Sequence, residues 1–114
     1  MPDVLNYVDG RGREPVEEYV RELLRVGERT AAATLARHVA LLEEHGANLG
    51  MPHARLIDRR SRLWELRPGD HRVAYAEHGD HIVLLHAWRK RSQRLDTREL
   101  RRAQSRLDDW RERN

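Results

Sequence analysis

Residues 63–88 read Leu63-Trp64-Glu65-Leu66-Arg67, Pro68-Gly69-Asp70, His71-Arg72-Val73-Ala74-Tyr75-Ala76, Glu77-His78-Gly79-Asp80, and His81-Ile82-Val83-Leu84-Leu85-His86-Ala87-Trp88. Aliphatic, β-branched and aromatic residues fill three runs, and glycine-bearing turns separate them. Turns this short join neighbouring strands antiparallel, so the segment predicts a three-stranded meander. The third run is long and apolar enough to be a central strand. Side chains alternate across a strand. Trp64 and Leu66 therefore share one face, and Leu63, Glu65 and Arg67 the other. In the next strand Val73 and Tyr75 oppose Arg72 and Ala74 in the same way.

Upstream, the period changes from two to that of a helix. Pro15 suits a first helical position, where its missing N–H costs nothing. Val16, Tyr19, Val20, Leu23 and Leu24 then form one apolar stripe, and Gly27 ends it. A second helix is predicted from about Glu28 to His45, with Ala32, Leu35, Val39 and Leu42 buried and Gly46 as its stop. Residues 3–8 can form a short first strand. Residues 46–58, with Gly50 and Pro52, read as a loop. Downstream, Asp96-Thr97-Arg98-Glu99 has the form of a capping box, followed by Leu100, Ala103, Leu107 and Trp110 as a packing stripe. The predicted fold class is α+β: a small, mostly antiparallel sheet with an N-terminal helical hairpin and a C-terminal helix. It forms one domain over residues 1–114, with no internal repeat.

The composition agrees with one modest core. The chain has 114 residues, 39% apolar and 36% charged. It has no Cys, which excludes disulfides and thiolate metal sites. No apolar run approaches the roughly 18 residues that cross a bilayer, and the acidic start of the chain does not resemble a signal peptide. A cytoplasmic location is expected. The net charge of +3 conceals an asymmetry. Residues 1–54 hold six Arg against nine acids, whereas residues 55–114 hold sixteen basic residues against ten acids. A positive field of this kind attracts phosphates or an acidic protein. All but one of the 22 basic residues are Arg. Codon bias accounts for such a preference, and it leaves Lys90 as the one compact, mobile ammonium.

Three constellations carry candidate chemistry. The first is Arg67, Arg72, Arg89, Lys90, Arg91 and Arg94, which the meander gathers near the strand ends. Each alone is readily a solvated surface charge. Together, with no acid between residues 88 and 94, they invite an anion, and arginine binds phosphate oxygens bidentately. The second is His71, His78, His81 and His86. A histidine can move protons near neutral pH, although His86, on an apolar strand, is more simply a hydrogen-bonded core residue. The spacing offers no zinc site, so no metal and no cofactor are expected. The third is the aromatics Trp64, Tyr75, Trp88 and Trp110. Core packing explains them, and Trp88, beside the basic run, could also stack on a base.

Taken in order, Leu41-Leu42-Glu43-Glu44-His45-Gly46, Leu63-Trp64-Glu65-Leu66-Arg67, Arg72-Val73-Ala74-Tyr75, Ile82 through Gln93, and Glu99 with Ala103 resemble one family. It is the phage-derived, HigB-like branch of the RelE/ParE toxin superfamily, and the likeness spans about residues 16–110. The resemblance implies a RelE-like fold and the toxin of a type II toxin–antitoxin system. The implied activity is a metal-independent endoribonuclease that cuts translated mRNA at the ribosome. The implied partners are a helix-turn-helix antitoxin, mRNA and the ribosome, with operator DNA contacted only through the toxin–antitoxin complex. By the same resemblance, Arg72 and Lys90 are phosphate and transition-state ligands, Arg67 and Arg91 support them, and His86 is a candidate proton carrier. Arg89, Arg94, Gln93 and Trp88 are candidate RNA contacts, and Tyr75 is structural. Departures from the family pattern are a short turn at Pro68-Gly69-Asp70, Arg91 in place of a second lysine, and no tyrosine near the final segment. A ParE-like gyrase poison shares the fold, and a non-catalytic RNA-binding or regulatory module would share the basic patch.

Overall fold

The computed structural model describes residues 3–92 and 94–114. β1 (Asp3–Asn6) leads, followed by α1 (Pro15–Arg25), α2 (Arg29–His45), a 3₁₀ turn over Gly46–Asn48, β2 (Ala54–Asp58), β3 (Leu63–Leu66), β4 (His71–His78), β5 (His81–Arg89) and α3 (Thr97–Arg113). The strands form one mixed sheet in the order β1-β5-β4-β3-β2. β2 to β5 are antiparallel neighbours, as the meander predicts, and β1 adds to β5 in parallel.

The fold class is α+β as expected, but two placements differ. The helical hairpin does not open the chain. β1 comes first, held by pairing Asp3–Asn6 with His81–Leu84, and only then do the two helices follow. The segment 46–58 is not all loop either. Its last five residues form β2, with Ala54 opposite Leu66 and Leu56 opposite Trp64. That strand is imposed by its partner, since its own sequence mixes Arg and Asp into a short run.

Local chemistry explains the helix ends. Pro15 occupies the first turn of α1. Gly27 takes a left-handed φ of 84°, a conformation glycine adopts without a side-chain clash. The Gly27 N–H donates to the Leu24 carbonyl and the Glu28 N–H to the Leu23 carbonyl, which closes the helix as a Schellman motif. This turn also fixes Glu28, the partner of Arg89. The capping box expected at α3 does not form. Asp96 makes no side-chain cap, because its carboxylate accepts the Trp88 indole N–H at 2.7 Å instead.

The sheet is the middle of three layers. Val16, Leu23, Ala32, Leu35 and Leu42 of the hairpin pack on Leu66, Val73, Tyr75, Ile82, Leu84 and Ala87. On the other face Ala103 and Leu107 of α3 pack on Leu63, Ala74, Ala76, Val83, Leu85 and Trp88, with Tyr7. Leu35, Leu42 and Leu107 are almost wholly inaccessible, and burying each stabilises the fold by roughly 1.5–3 kcal/mol. No helix among the described residues is long and apolar enough to cross a membrane.

One irregularity decides which side chains meet. Ala74 lies opposite His86 and Tyr75 opposite Leu84, so Leu85 is an extra residue in β5, a β-bulge. Before it, Ile82 and Leu84 face the hairpin and Val83 and Leu85 face α3. After it the phase slips by one, so that Ala87 faces the hairpin and Trp88 faces α3.

Candidate functional site

The site is built at the end of β4 and β5 where the β3–β4 turn meets the segment leaving β5. Alternation along β4 sends His71 to the hairpin, where its Nδ1 lies 2.7 Å from the Tyr19 hydroxyl. The next residue, Arg72, points to the opposite face. Its side chain is held tightly. Its guanidinium donates to the Gly69 carbonyl at 2.8 Å and to its neighbour His71's carbonyl at 2.7 Å. Its Nε stands 3.8 Å from a carboxylate oxygen of Glu65. Glu65 is directly opposite Arg55 on β2 and diagonal to Arg72 on β4, and the same oxygen is 3.3 Å from Arg55. Glu65 is only 3% exposed and Arg72 only 6%. Burial lowers the Arg72 pKa from its ordinary value, Glu65 opposes that shift, and the nearby charges of Arg67 and Arg55 add to it.

Glu65 is a site residue that reading by charge alone overlooks. Its signal is the strand alternation, which sets it on the face of Arg72 once the β3–β4 register pairs Glu65 with Ala74. A buried cation needs such a partner, because an isolated charge in the interior is costly.

Arg72, Lys90 and Arg91 line one open pocket of about 320 Å³, together with Asp70 and Ser92. The Lys90 backbone N–H donates to the Asp70 carbonyl at 2.7 Å. That bond draws the segment after β5 onto the β3–β4 turn. The pocket thus holds three cations and one carboxylate. The gap in acids between residues 88 and 94 does not survive folding, since Asp70 comes in from another turn. The excess of positive charge does survive, and it suits a phosphate or another small anion.

The other expected site residues stand elsewhere. Arg67 is half-buried, with its guanidinium 3.5 Å from the Met51 sulfur, near Arg72 but outside the pocket lining. Arg89 falls on the hairpin face and donates to Glu28 at 2.5 Å. Arg94 is exposed and its backbone N–H reaches Ser92. Gln93 lies outside the described residues. Trp88 is 4% exposed, bonded to Asp96 and stacked 5.4 Å from the His86 ring, so its ring is occupied by its own neighbours. Tyr75 is buried on the hairpin face against Trp64.

His86 is fixed in one protonation pattern. The Arg106 guanidinium, which can only donate, contacts His86 Nδ1 at 2.7 Å and the Leu85 carbonyl at 3.0 Å. Nδ1 must therefore be the acceptor, and the ring proton sits on Nε2. Nε2 is 3.4 Å from Glu99 without an aligned hydrogen bond. Burial and then Arg106 push the His86 pKa down, against the opposing pull of Glu99. The ring faces α3 and does not line the pocket of Lys90 and Arg72.

A larger pocket, about 560 Å³, sits at the far end of the β4–β5 hairpin beside His45, Asn48, Glu77 and His81. It has no Arg or Lys in its lining, so size does not mark the anion site. Among the described residues no three His, Asp or Glu side chains gather closely enough to hold a metal ion.

Comparison with known families places this arrangement. The family described as phage-derived protein Gp49-like (DUF891) matches residues 22–108. The chain belongs to this family. The match spans every residue of the cationic pocket and leaves out β1, the segment after it, most of α1 and the tail of α3. Gp49-like proteins are associated with the toxins of toxin–antitoxin systems, of RelE and HigB type, and membership implies an antitoxin partner. None of the curated proteins matches the chain.

Proposed function

We propose that this Gp49-like chain is the toxin of a type II toxin–antitoxin system and that it cleaves translated mRNA at the ribosome. The observation that carries this reading is the convergence of Arg72, Lys90 and Arg91 on one open pocket. In the proposed reaction the ribose 2′-oxygen loses its proton and bonds to the adjacent phosphorus. The bond from phosphorus to the 5′-oxygen breaks, and that oxygen gains a proton. A cyclic phosphate and a free 5′-hydroxyl result. Lys90 and Arg91 neutralise the charge that grows on the phosphate oxygens, and Arg72, held by the backbone, gives the phosphate a fixed seat. Among the lining residues, Asp70 offers a carboxylate to take the 2′-proton and Lys90 an ammonium to return one. Arg67 and Arg94 add positive field from outside the pocket, and the cognate antitoxin would be a helix-turn-helix protein.

A second reading is a binding module that keeps the cations and does not cleave. It is favoured by the pocket lining, which includes neither His86 nor Tyr75 and holds no imidazole or phenol among the described residues. Lys90→Ala separates the two readings better than any change at Arg72, since Arg72 is bonded into the fold. Inducing the chain in a bacterial host should arrest growth and create new 5′-hydroxyl ends in translated mRNA. Lys90→Ala should lower cleavage by about 10²–10³-fold, as loss of one transition-state donor does. Arrest without new RNA ends refutes cleavage, and DNA breaks without RNA cleavage would assign the chain to gyrase poisoning.

A further inference from the structure

We propose that a second cavity, between the end of β5 and the first turn of α3, holds a neighbouring phosphate of the same single-stranded nucleic acid. The proposal rests on the reading above only for the identity of the polymer.

This cavity measures about 400 Å³ and is lined by Arg91, Arg98 and Arg102 with Trp88, Asp96 and Glu99, and by Arg89 at one side. Arginines on the outer faces of a charged helix are ordinarily solvated surface. Here two from α3 meet one from the β5 segment across a concavity. Four cations stand against two carboxylates, Asp96 and Glu99. Asp96 accepts the Trp88 indole N–H. Glu99 faces His86 Nε2, whose proton is held there by Arg106, and lies 3.9 Å from Arg102. Arg89 is tied to Glu28. Arg91 and Arg98 are exposed and have no carboxylate partner among the described residues.

The backbone adds to this charge. Because Asp96 is turned to Trp88, it does not cap α3. Among the described residues the N–H groups of Arg98 and Glu99 have no carbonyl partner, in contrast to those of Thr97 and Leu100. Uncapped first-turn N–H groups carry the positive end of the helix dipole. The arginine cluster and the free helix end thus favour the same kind of ligand.

Arg91 is common to this cavity and to the pocket of Arg72 and Lys90. Two cationic concavities that share a wall match a ligand whose negative charges repeat along a chain. A single free phosphate would need only one of them. A single-stranded backbone crossing from the first pocket to the second would pass over Arg91.

The test is equilibrium binding of a short, uncleavable 2′-O-methyl RNA across a salt series. Three variants of the full chain are compared: Arg98→Gln with Arg102→Gln, Lys90→Ala alone, and Arg101→Gln alone. Arg101 is exposed on the same helix and lines neither cavity. Loss of one single-strand phosphate contact lowers the slope of log affinity against log salt by about 0.7. The double variant is expected to show that decrease, and Arg101→Gln to leave the slope unchanged. An equal decrease for Arg101→Gln would overturn the proposal in favour of a diffuse positive field. An unchanged slope in the double variant, with a decrease in Lys90→Ala, would remove the second phosphate site and leave the first pocket standing. The proposal also fails if the double variant keeps its RNA slope and loses affinity for an acidic peptide, which would make the cavity a protein contact.

Discussion

Glu65→Gln should destabilise the fold by about 2–3 kcal/mol, and the reason lies in the pairing of buried charges. Glu65 and Arg72 have side chains 4% and 7% exposed, with Nε and the carboxylate oxygen 3.8 Å apart. At an effective dielectric of about 20, two unit charges at that distance attract by about 4 kcal/mol. Two features reduce the loss. Arg72 keeps its bonds to the Gly69 and His71 carbonyls, and the glutamine amide still offers an oxygen. Arg55 contributes little, since its side chain is 41% exposed and ion pairs open to solvent are worth under about 1 kcal/mol. Urea unfolding of the parent, Glu65→Gln, Arg72→Gln and the double variant measures the effect as a double-mutant cycle. Each single change strands a buried charge or weakens its partner, so the double variant should be less destabilised than the sum of the two. A coupling of about 2 kcal/mol is expected. A coupling below about 0.5 kcal/mol would refute the claim that Glu65 neutralises Arg72 and would assign Arg72's placement to the two carbonyls alone.

Two further perturbations test other parts of the structure. Stability should fall on mild acidification. Burial and Arg106 lower the His86 pKa, and burial and Arg89 lower that of His71. As the pH drops through the ordinary histidine value of about 6.5, the unfolded chain therefore takes up protons that the folded chain refuses. The contribution is complete above that value and declines below it. Urea midpoints measured between neutral pH and mild acid should decrease, and a midpoint that rises contradicts the assigned environments. Asp70→Asn should bring opposite changes in binding and turnover. Removing the one carboxylate of the cationic pocket should tighten RNA binding, whereas cleavage, if Asp70 takes the 2′-proton, should drop by about 10²–10⁴-fold, the usual contribution of a general base. Tighter binding with undiminished cleavage would remove Asp70 from the chemistry.

The sequence makes those elements legible whose cause is local. Gly27, Gly46 and Pro15 mark the helix ends because their backbone preferences act within a few residues. The strands β3, β4 and β5 are legible because period-two alternation is a property of each run. Whatever depends on a distant partner is harder to see. β2 looks like loop because Arg55 and Asp58 interrupt it, and only pairing with β3 makes it a strand. Asp96 has the form of a cap, yet the Trp88 indole, which reaches it from another element, takes its carboxylate. In the candidate site the same distinction holds. Arg72, Lys90 and Arg91 could be grouped from the turns that join their strands. Asp70's intrusion, Glu65's role beneath Arg72, and Arg89's departure to Glu28 depend on which face each side chain takes, and the bulge at Leu85 resets that phase.

That single extra residue has a wider consequence. The end of β5 behaves like a message read with a shifted frame: upstream of Leu85 the strand serves the two layers in one order, and downstream in the other. Deleting Leu85 would set His86 directly after Leu84 and opposite Ala74, and Ala87, Trp88 and Arg89 would keep the faces they now occupy. Forcing Leu85 into an unbroken ladder opposite Ala74 would instead send Arg89 from Glu28 to the α3 side and turn the Trp88 indole away from Asp96. Where the strand absorbs its extra residue, and not the identity of any one base in the run, therefore decides which layer each later side chain serves.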